Sequence, residues 1–250
     1  MKPIRFWCFL LAISVLLLAS LACAVAEELP DAATEAPAST QAAEAPPAVE
    51  ATSAPETAPE AEQILLNEQF VDNSNNWFVG EDEYVETVIE DGKYRINTPT
   101  DGYNWFKASI AVSNVDVTVD TEFVEGEAAN SDYGVMCRVV DADNHYRFKI
   151  ASDGVYRIDK QVNGEISAIV DWTSTDALLT GAGVVNTMRV ICNENHLILY
   201  INGTLIADVV DSSIEGGSFA LMAGAYVNAD NVVTPAVVNF SNLIARQPMP

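Results

Sequence analysis

Basic side chains are scarce in this sequence: 12 Lys and Arg stand against 36 Asp and Glu in 250 residues, a formal net charge of −24. Such a field repels phosphate backbones and anionic headgroups, which argues against nucleic acid as a partner. Histidine is scarcer still, with only His145 and His196. Neither has a metal-ligand spacing to the other or to a cysteine, so zinc is not expected, and a Ser-His-Asp relay has few bases to draw on. Both are expected at the surface, His145 at a strand start and His196 at a hairpin. Of four cysteines only Cys137 and Cys192 lie beyond residue 26, and no Cys-x-x-Cys occurs. Gly-x-Ser-x-Gly, His-Glu-x-x-His and a phosphate-binding glycine loop are all missing. No window of about a dozen residues in the body of the chain shows a helical apolar period, and there is no fixed-period repeat. Helical bundles, propellers and solenoids are therefore disfavoured.

Long apolar runs are also absent, with one exception at the start. Lys2 and Arg5 precede a charge-free stretch from Phe6 to Ala26 rich in Leu, Ala and Val. A basic n-region followed by an apolar h-region marks residues 1–26 as a secretory signal or membrane anchor. Three outcomes are compatible with it. Ala24-Val25-Ala26 fits a small-x-small cleavage site that leaves Glu27 first. Leu21-Ala22-Cys23 resembles a bacterial lipobox, which would lipidate Cys23, although Ser20 stands where that motif usually has Leu. An uncleaved anchor is the third, since the run is just long enough to span a bilayer. Residues 27–63 then carry nine acidic residues, no basic one and six of the eleven prolines. Too little apolar surface is available there to offset the entropy of ordering, so a disordered acidic Pro/Ala-rich linker is expected.

Residues 64–250 hold 27 acidic and 10 basic residues and are one domain's worth of chain. Their dominant signal is a period of two. Val115, Val117, Val119, Thr121 and Phe123 alternate with Asp116, Thr118, Asp120 and Glu122. From Tyr133 to Gln161 three such runs follow one another, with an Asp153-Gly154 hairpin signal between the last two. One face of this meander is apolar, and the other carries Arg138, Arg147, Lys149 and Arg157. Asn186 to Cys192 and Leu197 to Asn202 read as apolar on both faces, which suits strands covered twice. Asp91-Gly92, Asn163-Gly164 and Asn202-Gly203 supply further hairpin turns. About thirteen short strands at near-regular spacing predict an all-β fold, a single antiparallel sandwich.

Five stretches carry a resemblance. They are Phe70-x-Asp72 with Trp77, the run from Tyr133 to Tyr156, Asn186 to Cys192, Leu199 to Gly203, and Val238 to Leu243. Together they resemble the concanavalin A-like jelly rolls of bacterial secreted proteins, within them the laminin-G-like and 3-keto-disaccharide-hydrolase-like group. The resemblance implies a jelly-roll-like β-sandwich over residues 64–250, and it places Cys137 and Cys192 as a matched pair. An exported chain already favours pairing. It also raises a structural calcium between the N-terminal loop and the last strand. Asp72, Asn73 and Asn75, or Asp141, Asp143 and Asn144, are the oxygen donors for it, but Ser241 stands where the resemblance leads one to expect Asp. Polar turns are the simpler account, and no other cofactor is expected.

Glycosidases of this superfamily need two carboxylates across the substrate, and the Glu-x-Asp-x-x-Glu strand of its glucanase branch is not here. Asp120 and Glu122, with Glu125 and Glu127, come nearest but read as the solvated face of a strand. No catalytic residue is therefore assigned. The concave face offers a binding site instead: Arg138 among apolar neighbours, with Tyr146, Lys160, Trp172 and Trp105. Rings cover the apolar faces of sugars, and Arg bonds their hydroxyls. The structural alternative has the tryptophans in the core and Arg138 paired with a carboxylate such as Asp153. The expectation is a non-catalytic module outside the cell or at its surface, binding carbohydrate or a surface protein, with the membrane reached only through the N-terminal segment. A glycoside hydrolase and an envelope adhesion protein are the alternatives.

Overall fold

The computed structural model describes residues 63–249; the signal segment, Cys23 and the linker up to residue 62 lie outside the described residues. The strands are β1 (Ile64–Glu68), β2 (Gly80–Glu81), β3 (Glu86–Glu90), β4 (Lys93–Thr98) and β5 (Gly102–Lys107). They continue as β6 (Val115–Glu125), β7 (Ser131–Asp141), β8 (Asn144–Ala151), β9 (Val155–Val162) and β10 (Glu165–Ser174). The last are β11 (Val185–Asn193), β12 (His196–Ile201), β13 (Thr204–Val210), β14 (Ala220–Ala225) and β15 (Ala236–Arg246). Among the described residues the only helix is a short 3₁₀ turn at Ala128–Asn130.

Two antiparallel sheets form the sandwich. The nine-stranded sheet runs β13-β12-β11-β6-β15-β4-β3-β2, with β1 added against β15; the six-stranded sheet runs β10-β9-β8-β7-β14-β5. The core between them is built from the apolar alternation: Val115, Val117 and Val119 from β6 meet Tyr133, Val135, Tyr146, Phe148 and Ile150. The Phe70 to Trp77 motif is structural. Trp77 donates its indole N–H to buried Glu68 at 3.0 Å, and its ring packs 5.6 Å from Phe70 and 5.4 Å from Tyr94. Cys137 and Cys192 form a disulfide joining β7 to β11, and so one sheet to the other.

Three of the four turn readings hold in detail. Asp91-Gly92, Asn163-Gly164 and Asn202-Gly203 each place both residues at positive φ between directly paired flanks, the two-residue geometry that twisted hairpins prefer. At Asp153-Gly154 only the glycine takes positive φ, and Ala151 pairs with Val155, so the loop has one residue more than the tight turn expected. The twice-covered strands are also not those expected. In β11 and β12 the outward residues are half-exposed, because the larger sheet leaves that face to water. It is β7, β8 and β14 in the smaller sheet that are buried on both faces.

Candidate functional site

Strand alternation dictates what the outer face of the six-stranded sheet carries. If Tyr146, Phe148 and Ile150 point into the core, then Arg147 and Lys149 must point out; likewise Ile158 in and Arg157 and Asp159 out. The register brings these together, with Arg147 opposite Asp159 and Lys149 opposite Arg157 on one side and Gly134 on the other. The result is a cross-strand lattice of charge. Arg147 Nε donates to Asp159 Oδ1 at 2.5 Å and Arg157 Nε to Asp159 Oδ2 at 3.0 Å. Lys149 Nζ bridges to Asp132 Oδ2 at 2.8 Å and Asp159 Oδ2 at 3.3 Å. Asp132, Arg147, Lys149 and Asp159 are all buried. Charges so deep persist only when each has its partner, and removing one member of such a set costs about 3–5 kcal/mol.

Above this lattice opens a pocket of about 620 Å³. Its floor is the lattice, and Tyr103, Tyr226, Ile166, Val155 and Trp172 form the walls, with Asp153 exposed at the mouth. Tyr226 donates its hydroxyl to Asp132 Oδ1 at 3.0 Å, and Tyr103 donates to Gln161 at 3.1 Å. Burial pushes the pKa of both phenols up, so both are neutral hydroxyls near neutral pH. Burial works against the Arg147 guanidinium, but Asp159 more than offsets it and holds its pKa above the ordinary value. Trp172 stays 41% exposed, with Lys149 Nζ 5.0 Å from its ring centroid. Gly224 makes room at one corner: a Cβ there would meet the Tyr226 hydroxyl at 2.6 Å and Asp132 Oδ1 at 2.9 Å.

Of the five residues expected from sequence to bind a ligand, Trp172 lines this pocket and Arg138, Tyr146, Lys160 and Trp105 lie elsewhere. Arg138 does not line it, and among the described residues it hydrogen-bonds to no carboxylate. Its guanidinium donates to the backbone carbonyls of Ser113 (3.4 Å), Ile214 (2.8 Å) and Glu194. Tyr146 points inward, donating to Asp211 Oδ1 at 2.6 Å and accepting from the Ile214 amide at 3.0 Å; burial pushes its phenol up to about 12. Lys160 donates to Asp211 Oδ2 and to Ser213. These three therefore converge on residues 211–219, where the chain crosses from β13 in one sheet to β14 in the other. Trp105 packs beside a small outer cluster of Met136, Val139, Ala220 and Met222, its ring 6.3 Å from His145.

His145, expected at the surface, is fully buried beneath Trp105; its Nδ1 lies 3.3 Å from the Asp141 carbonyl, and burial draws its pKa down. His196 is exposed and pairs with Asp208 at 2.9 Å. Asp120 and Glu122 sit on the larger sheet, bonded to Thr187 and Asn242 and to Lys93 and Asn239, away from the pocket. Asp72 and Asp141 accept the amides of Ser74 and Asp143, closing polar turns. No group of three or more His, Cys, Asp or Glu suited to a metal occurs among the described residues. Sequence reasoning missed Tyr103, Asp132, Asp159 and Tyr226 as site residues. The charged face of the meander was the signal for Asp159, whereas Tyr103 comes from distant β5 and Tyr226 from just past β14.

Two antiparallel sheets packed in this order, with a pocket on the outer face of the smaller one, define a concanavalin A-like jelly roll. The family model of the 3-keto-alpha-glucoside-1,2-lyase-like domain matches residues 63–232, and the chain belongs to that family. Among solved structures, the β-glucanase of Bacillus licheniformis is similar at 13% identity and a TM-score of 0.56, over 75% of this chain and 99% of that one. LamAcat from Zobellia galactanivorans is similar at 8% identity and a TM-score of 0.52, over 74% and 98%. The carbohydrate-binding module CBM66 from Bacillus subtilis gives 19% identity and a TM-score of 0.49, over 61% and 86%. No curated protein matches the chain.

Proposed function

We propose that the protein is a carbohydrate-binding module displayed outside the cell by its N-terminal segment, with the pocket over the Arg147–Asp159 lattice as its site. The observation that carries this reading is the pairing of a half-exposed indole, Trp172, with a floor of fixed hydrogen-bonding groups in a space of about 620 Å³. An aromatic platform takes the apolar face of a sugar ring, while planar guanidinium and phenol groups bond its hydroxyls. The pocket is large enough for a mono- or disaccharide. Both buried carboxylates are already engaged by cations and by Tyr226, which favours binding over acid–base work at either one. A glycan array probed with the full-length chain tests this. Retention of particular glycans, lost in Trp172→Ala while the melt stays cooperative, is the expected result. Retention unaffected by that change would move the site elsewhere.

A second reading is favoured by the family match and by one pair of residues. A 1,2-elimination from a 3-keto glycoside needs a base near the C2 proton and a cation near the carbonyl oxygen. Asp132 and Lys149, 2.8 Å apart at the pocket floor, are groups of those types. Release of the aglycone from a 3-keto-α-glucoside, abolished by Asp132→Asn, would favour this enzyme reading over simple binding.

A further inference from the structure

The charges beneath the pocket do not balance. Three cations, Arg147, Lys149 and Arg157, surround two carboxylates, Asp132 and Asp159, and none of these side chains is more than 21% exposed. Arg157 has a second partner in Asp171, but that carboxylate is 80% exposed and water weakens its hold. Asp153 stands at the mouth and is likewise exposed. Arg147 uses Nε on Asp159; its other hydrogen-bonding neighbour among the described residues is Tyr103, whose ring lies 4.8 Å from the guanidinium carbon. That hydroxyl is itself donated to Gln161. Arg147 lines the pocket although the residue as a whole is 2% exposed, so a ligand seated there meets the guanidinium that forms its floor. Planar Nη donors in a water-poor site match a carboxylate better than a hydroxyl, because two parallel charge-assisted bonds form at once.

We infer that the pocket selects a sugar bearing a carboxylate, whose oxygens take the guanidinium of Arg147 with help from Arg157 while the ring lies against Trp172. This rests on the carbohydrate-binding reading above and narrows its ligand class. The rest of the molecule is strongly acidic, so the preference is local to this floor, and it survives because the screening length at physiological salt is about 8 Å. The sugar acid has two sources of the same chemistry, a hexuronic acid or a nonulosonic acid, and the test separates them.

Full-length chain is titrated, at fixed ionic strength, with methyl β-glucuronide, methyl β-glucoside, N-acetylneuraminic acid and sodium acetate. The reading is tryptophan fluorescence, confirmed by calorimetry. One of the two sugar acids is expected to bind at least about tenfold tighter than the neutral glucoside, and which one does so names the source. Acetate is expected to bind no better than the glucoside. Arg157→Gln, which leaves the buried Arg147–Asp159 pair intact, is expected to cut the acid preference by about threefold or more. Equal affinity for glucuronide, neuraminic acid and glucoside would overturn the inference and leave the carbohydrate reading standing. Acetate binding as tightly as the sugar acids would reduce the site to an anion trap and overturn it too. Silence from every sugar would remove both.

Discussion

Arg138 sits at a φ of 49°, beside the point where the regular pairing of β7 with β8 shifts register. Alternation assigns it to the face of Met136, and that rule holds only while the strand stays regular. The irregularity puts Val139 into the outer cluster instead and sends the guanidinium to three carbonyls at the sandwich edge. Charge-assisted bonds to buried acceptors are worth about 1.5–3 kcal/mol each at most, and losing the donor leaves the carbonyls unmet. Arg138→Ala is therefore expected to lower unfolding stability by about 3 kcal/mol in urea titration without changing the affinity of the folded protein for sugar. Trp172, singled out in the sequence because it stands beside a polar loop, does line the pocket. Tyr146 and Lys160 lie away from the pocket, as parity requires: they share their faces with Phe148 and Ile158, which point inward. Gly224 gave no signal at all. Gly224→Ala is expected to push Tyr226 off Asp132 and lower sugar affinity about tenfold, at a repacking cost of about 1–3 kcal/mol; calorimetric titration beside a thermal melt separates the two effects.

The meander β7–β8–β9 is the element on which the candidate site depends. Its strands were readable because each alternates cleanly and turn residues stand between them; its long-range partner was not, since β14 lies some eighty residues downstream in the chain. The disulfide fixes this meander to the larger sheet, its two cysteines 55 positions apart. Closing a loop of that length is worth about 4 kcal/mol in the chain-entropy model, an upper figure. Replacing both cysteines by Ala is expected to cost about 2–4 kcal/mol, seen as a lower urea midpoint at unchanged slope. Free-thiol titration of the unfolded, unreduced chain should find no thiol from this pair. The crossing at residues 211–219 is the second device joining the sheets, held by Arg138, Tyr146 and Lys160.

For the whole molecule, acid is the expected stress. Burial pushes the Asp211 carboxyl up, but hydrogen bonds from Lys160, Tyr146 and Ser213 outweigh it and hold the group well below the ordinary carboxylate range. Hydrogen bonds likewise lower Glu122, through Lys93 and Asn239, and Asp141, through Asn144 and Asp143. A carboxylate depressed on folding contributes stability that is complete above its unfolded pKa, near 3.8 for Asp and 4.5 for Glu, and lost as pH falls toward the folded value. His145 has the same sign: buried, it stays neutral into stronger acid than its unfolded counterpart does, so its contribution is complete above 6.5 and declines below. Melting temperature is expected to begin falling below about pH 6.5 and to drop more steeply below about pH 4; His145→Gln should remove the first phase only.

The pairing of the first and last strands has a mechanical consequence. Ile64 lies opposite Arg246, and the Gln247 amide donates to the Gln63 carbonyl at 2.9 Å, so the two ends of the described chain leave the sandwich side by side. A load applied between residues 63 and 247 would meet those bonds one after another, as in peeling, instead of shearing the ladder all at once. Pulled that way the domain should yield at low force from β1 inward, whereas a pull directed across the Cys137–Cys192 bridge would be borne by a covalent bond.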